Sequence, residues 1–297
     1  MSLASVTSKL VVAPERPFLC ERGHRAAAGT FCHMARKTRL DALLVERGAF
    51  DSRSRAAAAV MAGEVQIGSE RSPATKPGMM VPMDVEVEVA EGRRFASRGG
   101  HKLERALASF GIEVEGRLCL DVGASTGGFT DCLLQAGAAR VTCVDVAYGE
   151  LDWRLREDPR VTVLERLNAR RLSPDQLPYA PDLIVVDVSF IGLAKVLPAL
   201  AACAAQRFDL LALVKPQFEV GRARVGKGGV VRSASDRLEA LVSVGEAAVH
   251  LDMSVQGYCS SGLPGPAGNL ESFIWCTESS RDGAHDLVAA AREAEPA

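Results

Sequence analysis

Five nearly continuous apolar runs, each four to six residues long and each followed by a stretch of helical periodicity, constrain this chain more than any other feature. They occupy residues 118–122, 141–146, 161–164, 183–188 and 210–214. A strand with one face in water alternates apolar and polar residues, whereas a strand covered on both faces does not. Strand and helix alternation of this kind predicts an α/β fold with a doubly wound, mostly parallel sheet. Two further runs, at 254–259 and 272–276, lie close together across a short Gly- and Pro-containing connection. They predict an antiparallel pair at the sheet edge, for seven strands in all.

The chain has 297 residues, of which 47% are hydrophobic, enough for this domain and a smaller companion. Its longest apolar run, residues 196–205, is ten residues long and contains Pro198. A membrane span needs about 20 apolar residues, so none is expected. No charged-then-apolar leader with a cleavage site is visible, which points to the cytoplasm. The eight cysteines have no regular spacing and mostly sit in apolar runs, as buried free thiols do in a reducing compartment. Cys20, His24, Cys32 and His33 lack the spacing of a zinc module, and no metal is expected. The formal charge of −2 means that any nucleic acid must be held by a local patch.

Residues 1–33 lack periodicity and read as a disordered extension. A small α+β module follows over 34–92. Leu40, Leu43 and Leu44 share a helical face that stops at Gly48, and a second helix runs from about Ser52 to Val60 and ends at Gly63. Val65 and Ile67 alternate as one strand, and Val85, Val87 and Val89 as another. Arg36, Lys37, Arg39, Arg53, Arg55 and Lys76 supply positive charge against few acids. Such a cluster is either a solvated helical face or a phosphate-binding patch. Residues 93–97 read as a linker, 98–280 as the large domain and 281–297 as a tail whose alanines and alternating charges suggest a surface helix.

After the first strand of the large domain comes Asp121-x-Gly123-Ala124-Ser125-Thr126-Gly127-Gly128, with a helix opening at Phe129. Glycines here let backbone approach a ligand, and a helix N-terminus favours an anionic group. Ser125 occupies the third position of a G-x-G-x-x-G register, so the dinucleotide fingerprint is incomplete. Asp145 closes the second strand, where an acid can accept both ribose hydroxyls of a nucleoside. Asn168, after the third strand, is a candidate for the adenosine rim. The loop alone leaves a nicotinamide-dependent oxidoreductase and a methyltransferase both open.

Four charged residues fall where a doubly wound sheet forms its ligand crevice. Asp187 ends the fourth strand, Lys215 the fifth, Glu271 precedes the last, and Lys102 lies just ahead of the first. Only seven of the 35 basic residues are lysine, and two of those seven stand here, where arginine could not act as a base.

Arg98-Gly99-Gly100-His101-Lys102-Leu103, the glycine loop through Thr130, Asp187-Val188-Ser189-Phe190-Ile191, Leu213-Val214-Lys215-Pro216-Gln217-Phe218-Glu219 and Leu263-Pro264-Gly265-Pro266-x-Gly268-Asn269-x-Glu271 together resemble the TlyA (haemolysin-type) family. The resemblance spans about residues 36–277, and that family is itself similar to the FtsJ ribose methyltransferases. It implies a Rossmann-like methyltransferase sheet, S-adenosylmethionine as cofactor, and a catalytic tetrad of Lys102, Asp187, Lys215 and Glu271. Asp121, Gly123, Ala124, Ser125, Thr126, Gly127, Gly128, Phe129, Asp145, Asn168 and Asp187 become the expected cofactor-binding set. Residues 36–90 resemble the S-four-type RNA-binding module through Arg39-Leu40-Asp41-x-Leu43-Leu44, Ser54-Arg55-x-x-Ala58, Gly63-x-Val65 and Lys76-Pro77. One departure is the linker, where relatives can carry Arg-x-Trp-Val and this chain has Arg93-Arg94-Phe95-Ala96.

The resemblance implies ribosomal RNA of the small (16S) or large (23S) subunit, or both, as substrate. Lys215 is expected to take the proton of a ribose 2′-hydroxyl, with Lys102 stabilising the developing alkoxide. Asp187 and Glu271 are expected to orient the two amines. A target base inside a helix must be extruded to reach such a crevice. A membrane-lytic activity, suggested by the haemolysin label, would need an apolar or amphipathic segment that the sequence lacks.

Overall fold

The computed structural model describes residues 10–12, 37–50, 52–61, 65–70, 72–74, 76–89 and 94–294. The chain divides into two units at Arg94 and Phe95.

In the first unit, strand β1 (Leu10–Val12) is followed by β2 (Lys37–Arg39), helix α1 (Leu40–Glu46), helix α2 (Arg53–Met61), β3 (Val65–Ile67), β4 (Ser72–Pro73), β5 (Met80–Pro82) and β6 (Val87–Val89). The antiparallel order is β1-β6-β3-β4, and β2 pairs with β5. Leu40, Leu43 and Leu44 turn inward against Ala56, Val60, Val65 and Val87, so the period-3.6 and period-2 patterns close on one small core. Two expectations need correcting. Leu10–Val12, assigned to a disordered extension, form an edge strand with Leu10 opposite Val89, an apolar triplet that includes two β-branched valines and so suits a ladder. The last strand begins at Val87 rather than Val85. The rest of 1–33, with Arg36, Cys20, His24, Cys32 and His33, lies outside the described residues, as does Gly63.

The second unit is a seven-stranded sheet. Helix α3 (Gly99–Phe110) precedes β7 (Leu118–Val122), then α4 (Gly128–Gln135), β8 (Arg140–Val144), α5 (Trp153–Arg156), β9 (Val161–Leu164), β10 (Leu183–Val186), α6 (Leu197–Cys203), β11 (Asp209–Val214), α7 (Pro216–Glu219), α8 (Ala234–Val249), β12 (Met253–Ser260), β13 (Ser272–Glu278) and α9 (Leu287–Ala294). Strand order is β12-β13-β11-β10-β7-β8-β9, parallel from β9 to β11, with β13 and then β12 antiparallel.

Successive residues of each central strand serve opposite faces. Ile184, Val186, Leu210, Ala212 and Val214 join α6 and α8 on one side. Leu183, Val185, Leu211 and Leu213 join α3 and α4 on the other. Both faces are covered, which is why the runs read as continuously apolar. The tail also departs from expectation. Ala291 and Ala294 of α9 are buried in the first of these cores, with Leu287 and Ala290 packed beside them, so this helix docks on the sheet's helical layer. Phe95 and Ala96, counted with the linker, are buried in the second unit, where the Phe95 ring meets His101 edge-on at 5.0 Å. Cys119, Cys132, Cys143, Cys203 and Cys276 are buried free thiols. No helix of the described residues is long and apolar enough to cross a membrane.

At the amino end of the parallel strands, Asp209 gathers three donors. Trp275 Nε1 and Arg281 Nη1 each donate to Oδ1 at 2.9 Å, and Arg117 Nη2 donates to Oδ2 at 3.0 Å. Asp209→Ala strands two guanidinium groups and an indole at a nearly buried position. Because Arg117 keeps Asp182 and Arg281 keeps Glu278, the expected loss is about 2–3 kcal/mol. Urea unfolding of the two proteins measures it, and a loss below about 0.5 kcal/mol, the usual size for a neutral surface change, would contradict the assignment.

Candidate active site

The glycine loop is built by backbone bonds before any ligand is considered. Gly123 and Ala124 donate to the Val144 carbonyl at 2.8 and 3.3 Å, and Gly127 donates to Ala124 at 2.7 Å. Asp145 fastens the loop from the next strand, its Oδ2 accepting from Ser125 N and its Oδ1 from Ala147 N, both at 2.8 Å. Gly123 adopts φ +85°, and a Cβ there would collide with the backbone carbonyl of Asp187. That glycine therefore lets the loops after β7 and β10 touch. Ser125, a non-glycine residue at φ +46°, is held in a strained conformation of the kind found at ligand sites.

These loops border a cleft of about 510 Å³ at the carboxyl ends of the parallel strands. Such a volume suits a nucleoside-sized ligand. Gly123, Ser125, Asp145, Asn168 and Asp187 of the expected cofactor set line it. The remainder do not. Asp121, Ala124, Gly127, Gly128 and Phe129 are buried beneath the loop, and Thr126 is exposed outside the cleft. The Phe129 ring packs on Phe273 at 5.9 Å, and a Cβ on Gly128 would meet Ser97 and the Gly100 amide, so both residues shape the loop from behind. Neighbours on a tight turn point in different directions, and Ala124 lines a smaller pocket beside Ser125 and Asp145.

The four charged candidates form two ion pairs at the same rim. Lys102, on α3 and only 8% exposed, places Nζ 2.5 Å from Glu271 Oε2, itself 3% exposed. Lys215 places Nζ 2.6 Å from Asp187 Oδ1 and donates to Ser189 Oγ at 2.8 Å. The ladder explains their convergence. Val214 of β11 faces Ser272 of β13, so Lys215 and Glu271 are the next residues across the same antiparallel pair. Val186 of β10 faces Ala212 of β11, which brings Asp187 to the adjoining tip. A Cβ at Gly265 would strike the Glu271 carboxylate. Asn269, 1% exposed, binds the Val231 amide and the Gly229 carbonyl, so these two positions brace the turn that delivers Glu271.

Several cleft residues escaped sequence reasoning as individuals, although the segment 187–191 was singled out. Ser189 contacts the Lys215 amine, and Phe190, 91% exposed at φ +64°, stands at the cleft with its ring 5.3 Å from that of Phe218. An aromatic residue left in solvent in a strained backbone is the available signal, and it needs coordinates.

In the first unit, Asp41 is buried and collects Arg39 and Arg53. Arg39 donates Nε at 3.0 Å and Nη2 at 2.8 Å, and Arg53 donates Nη2 at 3.0 Å. The bonds from Arg39 hold the Asp41 carboxyl well below the usual range. These two arginines are thus oriented by an internal acid. Lys37, Arg55 and Lys76 are exposed.

Residues 95–278 match the FtsJ-like methyltransferase family. The chain is an FtsJ-like methyltransferase. It is 50% identical over 244 residues, 82% of this chain and 90% of the relative, to the 16S/23S rRNA (cytidine-2′-O)-methyltransferase TlyA of Mycobacterium tuberculosis. It is 32% identical over 182 residues, 61% of this chain and 70% of the relative, to the 23S rRNA (cytidine-2′-O)-methyltransferase TlyA of Campylobacter jejuni. A solved Streptococcus thermophilus structure that bears a hemolysin name is 38% identical, with a TM-score of 0.68 over 87% of this chain and 96% of that one. The cofactor of this methyltransferase is S-adenosylmethionine. The cleft is compatible with it in size and polarity, with Asp145, Asn168 and Asp187 among its lining residues.

Behind the loop, Asp121 is fully buried, with Oδ2 accepting the Thr130 hydroxyl at 2.6 Å. Burial pushes its carboxyl up to about 7, the Thr130 bond opposing and the charge of Asp187 adding to the rise. An unfolded aspartate titrates near 3.9, so the native chain holds this proton more tightly. The stability tied to it is complete below the unfolded value and is lost as pH rises to about 7. Asp121→Asn lacks that titration. Its unfolding free energy, measured against wild type across this range, should gain steadily with pH and level off above about 7. A difference independent of pH would contradict the buried proton.

Proposed function

We propose that this protein transfers a methyl group from S-adenosylmethionine to the 2′-hydroxyl of a cytidine in ribosomal RNA, with Lys215 as general base. The observation that carries the reading is the pairing of the Lys215 amine with Asp187 and Ser189, two residues that line the cofactor cleft. The relatives named for rRNA cytidine-2′-O-methylation support the substrate. An enzyme of this substrate works in the cytoplasm.

When bound, the cofactor supplies a methyl group on a positively charged sulfonium, which leaves as a neutral thioether. The ribose oxygen is a poor nucleophile until its proton departs. Nζ of lysine has three directions beyond its side chain. Asp187 and Ser189 occupy two of them. In its neutral form the amine carries its lone pair in the third direction, where it would accept the ribose proton as the hydroxyl is methylated. Lys102, held by Glu271, places a second positive charge beside the developing alkoxide. The carboxylates orient these amines.

A ribose within a paired helix cannot reach this cleft, so the target nucleotide is extruded. The exposed Phe190 ring offers a stacking face to the displaced base. Residues 34–92 act as an S-four-type module in which Lys37, Arg39, Arg53, Arg55 and Lys76 meet phosphates, with Arg36 adjoining them in sequence. Such contacts position RNA without reading its sequence and weaken with salt.

The experiment is transfer of labelled methyl from S-adenosylmethionine to isolated small and large ribosomal subunits, followed by mapping of the modified ribose. A 2′-O-methylcytidine in either RNA is expected, and label on a base or on neither RNA overturns the reading. Lys215→Arg should reduce the single-turnover rate at least about a hundredfold, the scale of general-base catalysis. Its affinity for S-adenosylmethionine by calorimetry should stay within about threefold, because a retained cation preserves the Asp187 pair. Retained turnover would remove Lys215 from the role of base.

A further inference from the structure

The loop that follows β10 carries five of the residues that line the cleft, Asp187 to Ile191, and the segment that follows β11 holds it at three separate places. Asp187 and Ser189 bind the Lys215 amine, the Phe190 ring lies on Phe218, and Leu193 N–H donates to Glu219 Oε1 at 2.9 Å. The first two contacts involve groups that face ligand. The third does not, since Glu219 is absent from the cleft wall.

Leu193 opens a short 3-10 turn, Leu193–Lys195, whose cap position is Gly192. A turn of this kind leaves its first N–H groups without internal partners, and a side chain at the cap normally accepts one of them. Glycine has no side chain to do so. Glu219, 26 residues away, supplies the acceptor. The absence of a side chain at Gly192 is also what admits the carboxylate, because a Cβ there would lie 3.0 Å from Glu219 Oε2. Burial pushes the Glu219 carboxyl up, with the Leu193 amide and Lys195 pulling the other way. Beyond the turn the chain is rigid, since Val196, Leu197 and Leu200 are fully buried. The stretch from Asp187 to Gly192 is therefore suspended between β10 and a turn that one carboxylate anchors.

We propose that Glu219 is a positioning residue for cofactor binding: by capping Leu193 it holds the 187–192 loop, with Ser189 and Phe190, in register with Lys215. It acts through the loop and touches neither cofactor nor RNA. The inference rests on the reading of the cleft as the cofactor site, and it is tested without RNA, so that loss of the rRNA assignment leaves it standing or falling on its own.

The test compares Glu219→Ala with Glu219→Gln in the full chain. The amide oxygen of glutamine can still accept from Leu193, whereas alanine cannot. Calorimetry with S-adenosylmethionine should show affinity weakened about five- to thirtyfold in Glu219→Ala, the range that loss of one cap spans. Glu219→Gln should remain within about threefold of wild type on the same scale. Amide hydrogen exchange over residues 188–195 should accelerate in the alanine variant alone, with the central strands unchanged. Should Glu219→Ala fail to fold, Glu219→Asp, one methylene too short to reach the amide, takes its place. Wild-type affinity and exchange in the variant that removes the cap would overturn the proposal, and so would equal losses in the alanine and glutamine variants.

Discussion

The antiparallel pairing of β13 with β11 is the constraint on which the site depends. Five strands run parallel and present their carboxyl ends to one rim, and a sixth would do the same. Because β13 runs the other way, its amino end arrives at that rim instead. The register that sets Val214 across from Ser272 then places Glu271 opposite Lys215. Glu271 in turn reaches Lys102, 169 residues earlier in the chain. The relative positions of these groups are set by backbone ladders in the middle of a sheet, which hold geometry better than loops do.

The two ends of the same sheet carry different burdens. At the amino end, Asp209 accepts from Arg117, Arg281 and Trp275, tying β11 to β13 and to the strands beside them. Those bonds clamp the strands whose opposite tips present Lys215 and Glu271. At the carboxyl end the ion pairs are fewer and the backbone is strained at Ser125 and Phe190. A buried pair such as Lys102 with Glu271 is costly to desolvate and is weak evidence for stability.

Much of this was legible in the residues. Four of the seven strands begin and end within a residue of their expected bounds, and uninterrupted apolar runs such as 118–122 and 161–164 have only one use in a covered sheet. Asp145, Asp187 and Lys215 stand out in the sequence because charge at the end of an apolar run is unusual and strand ends face the ligand, whereas Lys102 and Glu271 join them only through the family resemblance. What remained hidden depends on direction. Sequence order cannot say that Ser125 faces the cleft while Phe129, four residues on, faces Phe273. Nor can it show that Arg39 and Arg53 share Asp41, or that the alanines of α9 enter the core. The three-residue strand at Leu10–Val12 was missed because so short a run has no periodicity, and its partner Val89 is far away in the chain.

The central claim is that the Lys215 amine removes the ribose proton, and chemical rescue addresses it most directly. Single-turnover methyl transfer by Lys215→Ala and by Lys102→Ala would be measured with a series of small primary amines of increasing basicity. The account predicts that added amine restores transfer in Lys215→Ala, more effectively as basicity rises, and leaves Lys102→Ala unrescued. Wild-type transfer by Lys215→Ala without any amine, or rescue confined to Lys102→Ala, would contradict it.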